Sequence, residues 1–102
     1  MAHTLGGITY RTFTAPAASV RTASLGALHR MGIKYTGSEK AEHGAEMLKA
    51  SATDRKIEIT LEPLSASATR MKVVARNGGI LYDSATATEI ILQTERQLGS
   101  KA

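Results

Sequence analysis

Apolar and polar residues alternate most cleanly between Lys56 and Arg76. Ile57, Ile59 and Leu61 alternate with Lys56, Glu58, Thr60 and Glu62, and beyond a Pro63–Ala68 connection Met71, Val73 and Ala75 alternate with Arg70, Lys72 and Arg76. A period of two is that of a strand with one buried and one wet face. Pro63 cannot donate to a ladder and Ser65-Ala66-Ser67 makes no apolar commitment, so the connection is short and the two runs are expected to pair as an antiparallel hairpin.

The flanking segments follow from the same reading. After a loose lead-in over about residues 1–7, Ile8–Thr14 is β-branched and aromatic and predicts a strand. Pro16 suits a first helical turn, and Ala17, Val20, Ala23, Ser24, Ala27, Leu28 and Met31 then fall on one stripe of a helix that Gly32 ends. Ile33–Tyr35 predicts a strand with Ile33 and Tyr35 on one side and Lys34 on the other. Ser38–Leu48 is ambiguous. It reads as a short helix capped by Ser38, or, as its Gly44 and weak stripe favour, as a turn leading to a strand over Glu46–Ala52 with either Met47 or Leu48 inward. Asn77-Gly78-Gly79 closes the last long strand, and Asp83 or Ser84 caps a second helix to about Leu98 with Ala87, Ile90, Ile91, Thr94 and Leu98 as its apolar stripe. The order is β-α-β-β-β-β-α: an α+β class, a single antiparallel sheet covered on one face by both helices, forming one domain over residues 1–102.

Composition adds limits to this picture. Leu, Ile, Val and Phe make up about a fifth of the 102 residues, so the core is expected to be thin and to rely on Ala. A net charge of +4 is too small to oppose folding. With no Cys, the chain has no disulfide, thiolate nucleophile or Cys-ligated metal. No apolar run is long enough for a membrane helix. The N-terminus shows no charged segment followed by an apolar one, so the protein is expected either to be cytoplasmic or to have lost a signal.

The sequence Tyr10–Pro16 (YRTFTAP) leading into an Ala-rich helix that ends Met31-Gly32-Ile33, the strand end Leu61-Glu62-Pro63-Leu64, and Asp83-Ser84 opening a helix with Ile90-Ile91 resemble a family of short, uncharacterised bacterial envelope proteins, often lipoproteins. The resemblance implies a periplasmic or outer-membrane address, with lipid anchoring upstream, and a function not yet assigned. The Glu39–Glu46 segment carries more charge than that family's pattern.

Candidate chemistry is sparse. His3, His29 and His43 form no close pair, and Glu39, Glu42, His43 and Glu46 would share a face only on a helix, so no metal or other cofactor is expected. There is no nucleophile elbow and no phosphate-cradling glycine pattern, so no catalytic residue is assigned and the protein is expected not to be an enzyme. Glu58 and Glu62 are expected to face Lys72 and Arg76 as screened ion pairs. Charge is the most informative feature. Arg11, Arg21, Arg30 and Lys34 precede every acidic residue, and Arg70, Lys72 and Arg76 line the outward side of a strand expected at or near the sheet edge. Those last residues are the candidate contact for an anionic surface, giving weak binding to anionic lipid; without stacking aromatics they are not expected to bind nucleic acid. The leading functional expectation is a non-enzymatic envelope module that binds a protein partner or a surface. The alternative is a small apolar-ligand binder with a pocket between sheet and helices, where Ala23, Ser24 and Ala27 would leave room.

Overall fold

The computed structural model describes residues 3–5, 7–78 and 81–99. In chain order the elements are β1 (His3–Leu5), β2 (Ile8–Phe13), α1 (Ala17–Arg30), β3 (Lys34–Lys40), β4 (Glu46–Ala52), β5 (Arg55–Ser65), β6 (Ala68–Asn77), β7 (Leu81–Tyr82) and α2 (Ser84–Gly99). All strands join one antiparallel sheet in the order β1-β2-β6-β5-β4-β3, with the short β7 also on β6. The class is therefore α+β, with α1 and α2 packed on one face.

The expected hairpin is β5 and β6, in the register Ile57↔Ala75, Ile59↔Val73 and Leu61↔Met71. It is longer than the alternation alone implied, because β5 continues through Pro63 to a bulge before Ser65. β4 begins opposite Leu61, so beyond that point β5 has a bare side on which a proline is tolerated. Leu48 pairs with Ile59 and is fully buried, which makes it, and not Met47, the inward residue of β4.

The helix stripe packs as its spacing requires. Val20, Ala23, Ser24, Ala27 and Leu28 of α1 are buried, as are Ala87, Ile90, Ile91 and Thr94 of α2. Small residues draw α1 close to the sheet: the Ser24 hydroxyl lies 4.0 Å from the Met71 sulfur. Val20, Ile59, Leu61, Val73, Ile90 and Ile91 belong to one core cluster, none more than 2% exposed. Gly32, at φ +71°, ends α1: its N–H donates to the His29 carbonyl and the Ile33 N–H donates to that of Leu28, while Ile33 and Leu28 are both buried. This is a Schellman end with its hydrophobic contact.

Several expectations are corrected. His3–Leu5 is not a loose lead-in but a strand paired to β2. Ser38–Lys40 continues β3, and the turn is confined to Glu42–Gly44. Tyr35 pairs with Ala50 on the helix side yet stays 38% exposed, because β3 is the outermost strand and a bulge follows at Tyr35/Gly37. Finally, β6 is no edge strand, since β2 and β7 flank it on one side and β5 on the other. Nothing local to residues 70–76 announces a partner sixty residues upstream.

Candidate functional site

Side chains alternate across a sheet and direct antiparallel partners share a face, so the register sorts the charges. The helix side takes Thr9, Phe13, Leu48, Ile57, Ile59, Leu61, Met71 and Val73. The opposite, outer face takes Tyr10 and Thr12 of β2, the even residues Arg70–Arg76 of β6, Lys56–Glu62 of β5, and Met47, Lys49 and Ser51 of β4. Its carboxylates are largely engaged. Glu39 binds Lys49 at 2.7 Å and, by accepting a hydrogen bond from that ammonium, holds its pKa above the ordinary value, with Glu58 adding to the same effect. Glu62 binds Arg70.

The expected cluster Arg70, Lys72 and Arg76 does lie on this face, but the structure gives its members separate surroundings. Arg70 is neutralised by Glu62, its direct partner across the hairpin, where Lys72 and Arg76 had been expected to meet the acids. The actual register sets Lys72 opposite Thr60, Arg76 opposite Lys56 and Glu58 opposite Val74. Arg76 instead lies over the Tyr82 ring, 5.5 Å from its centre.

Two arrangements result. The first is a transverse row. Tyr82, Arg76, Lys56, Ser51 and Lys34 are successive partners across β7, β6, β5, β4 and β3. Arg76, Lys56 and Lys34 are exposed, and among the described residues none has a carboxylate within ion-pair distance. From Arg76 to Lys34 the row crosses three inter-strand steps, about 14 Å. The second is a depression of about 400 Å³ nearer the other end of the face. Its floor is Tyr10, Lys72, Thr60 and Met47; the Glu62–Arg70 pair closes one end, and Ala41, Glu42 and Ala45 of the β3–β4 turn form a wall.

The sequence groups Lys34 with Arg11, Arg21 and Arg30 and does not single out Lys56. The parity of both lysines already placed them on wet sides, but only the register sets Lys56 against Arg76. The N-terminal cations do not form a common surface: Arg11 binds Glu95 and Arg21 binds Glu46, each at 2.9 Å. The acidic segment is likewise dispersed. Glu39 lies on the outer face and Glu46 on the helix side, Glu42 is solvent-exposed, and His43 is 4.0 Å from Glu42; among the described residues no group of three His, Asp or Glu converges. The helical condition that would have joined them is not met, because the segment is strand, turn and strand. Between β2 and the two helices a concavity of about 540 Å³ is lined by Phe13, Ala15, Ser19 and Leu98 with the Arg11–Glu95 pair, whereas the depression over Lys72 is on the far side of the sheet.

Among the described residues no helix is long and apolar enough to cross a membrane. No protein-family model matches the chain, and no curated protein matches its sequence.

Proposed function

We propose that this domain is a non-enzymatic binding module of the bacterial envelope, periplasmic or lipid-anchored, and that it engages an acidic protein partner or an anionic surface through the outer face of its sheet. The observation that carries the reading is the direct opposition of Lys56 and Arg76 in a row continued by Lys34. Like charges directly across a strand pair are unfavourable in the free protein and become favourable when an anion bridges them. The Tyr82 ring supports the Arg76 guanidinium from one side, which leaves its N–H groups available for a planar oxyanion. The resemblance to envelope proteins supplies the setting.

The test is cosedimentation of the protein with anionic and neutral phospholipid vesicles at low and near-physiological salt, with immobilised polyglutamate as the acidic-protein arm. Retention on an anionic phase that falls with salt, and that is lost when Lys56 and Arg76 are reversed to Glu, is expected. Equal retention on neutral lipid, or retention indifferent to the reversal, would remove the row from the reading. Fractionation of the source cells checks the address, and recovery from the cytosol overturns it.

A second reading, a small-ligand binder, is favoured by the depression over Lys72.

A further inference from the structure

We infer that the outer-face depression is a binding site for a small amphiphilic monoanion, a carboxylate carried on a short aromatic or aliphatic body. The site is distinct from the basic row and stands or falls separately from it.

The argument begins with charge. Lys72 is half-buried in the floor, and among the described residues it has no carboxylate within ion-pair distance. Its neighbours do not supply one. Glu62 is committed to Arg70, and Glu42, on the wall, has a side chain 94% exposed with His43 as its contact. An ammonium partly removed from water and lacking a counter-ion gains from an anion delivered to it. The charge count limits the ligand: Arg70 and Lys72 stand against Glu62 and the solvent-exposed Glu42, so the lining as a whole is neutral, and a single negative charge placed at Lys72 is suited where a phosphate or sulfate dianion is disfavoured.

The remainder of the lining suits an apolar body. Tyr10 offers a ring beside Lys72, its cross-strand neighbour being that lysine, and Met47 offers an adaptable thioether across Thr60. Ala41 and Ala45 add small apolar walls, held in place by backbone hydrogen bonds from the Ala41 N–H to the Ala45 carbonyl (2.8 Å) and from the Ala45 N–H to the Glu42 carbonyl (3.1 Å). A volume of about 400 Å³ falls within the range typical of small-molecule sites. The carboxylate would meet the Lys72 ammonium, and the body would lie along Tyr10 and Met47.

The experiment is an amide- and methyl-resolved NMR titration of the full chain with phenylacetate, octanoate, phenylacetamide and inorganic phosphate. Phenylacetate or octanoate is expected to shift Met47, Lys72, Ala41 and Ala45, while phenylacetamide, the uncharged isostere, binds about tenfold more weakly or worse. Lys72→Met is expected to lower carboxylate affinity by about tenfold or more, and Lys72→Arg to retain it. Unchanged thermal unfolding of both variants keeps the comparison on binding. Reversal of Lys56 and Arg76 is expected to leave carboxylate affinity within about twofold, so failure of the basic row and failure of this site are separable. Absence of shifts at these residues with both carboxylates, equal binding of acid and amide, preferential binding of phosphate, or full affinity in Lys72→Met would each overturn the inference.

Discussion

Arg55 at the start of β5 donates from Nε to the Asp83 carboxylate at 2.6 Å, tying the central hairpin to the N-terminus of α2. Asp83 is also the helix cap. It accepts from the Thr86 hydroxyl at 2.6 Å and from the Thr86 N–H at 3.1 Å. The Thr86 hydroxyl, then Arg55, then the Thr86 N–H stabilise its ionised form and draw its pKa down to about 2.

That linkage has a defined pH window. In the unfolded chain this carboxyl titrates near its ordinary value of about 3.9, so the folded state binds its proton less tightly. A depressed folded pKa contributes stability that is complete above the unfolded value and is lost as pH falls from about 4 towards about 2. Asp83→Asn keeps a capping oxygen but removes the charge, so the gap between wild type and variant is expected to close across that window. Asp83→Ala should cost about 0.5–2 kcal/mol near neutral pH. Urea denaturation at a series of pH values measures both, and a gap constant with pH would show that the charge is unimportant.

Truncation of Ile59 to Ala is expected to destabilise the domain by about 2–5 kcal/mol, because the side chain is wholly enclosed between β4, β6 and the helices. A midpoint of chemical denaturation unchanged within error would contradict the burial described for it.

Lys56→Glu should move stability and binding in opposite directions. Replacing a like-charge neighbour of Arg76 with an opposite one is expected to raise stability by about 0.2–1 kcal/mol, with the gain shrinking in high salt. The same change should abolish salt-sensitive retention on anionic phases. Thermal unfolding at low and high salt, alongside the cosedimentation assay, checks the pair of effects; a loss of stability would show that Arg76 and Lys56 do not oppose each other in solution.

The fold was legible where periodicity was strong. Ile57–Leu61, Met71–Ala75 and both helix stripes appear in the structure on the faces their spacing assigned. Short strands lacked such a signal. His3–Leu5 and Leu81-Tyr82 are too brief for alternation to emerge, and Ser38–Lys40 is polar because β3 is the exposed last strand of the sheet. The outer face was half legible. Parity put Arg70, Lys72 and Arg76 together, but whether each finds an acid depends on cross-strand register, which a hairpin's own sequence leaves open when its connection is loose. Arg70 met Glu62, while Lys72 and Arg76 did not meet the acids expected. The depression could not be foreseen, since its wall comes from the segment whose structure was ambiguous.

The pairing of β2 with β6, Thr9 with Val73 and Phe13 with Thr69, sets an order of assembly. During synthesis β2 emerges long before the strand that completes its ladder, whereas β4, β5 and β6 each pair with the strand just made. The meander from Lys34 to Asn77 is therefore expected to form first, with the β1–β2 segment docking as the closing step that pays the largest loop entropy. Folding kinetics of conservative truncations read this directly: φ-values near zero at Thr9 and Phe13 with higher ones at Ile59 and Val73 are expected, and the reverse pattern would mean that the chain's beginning waits for nothing.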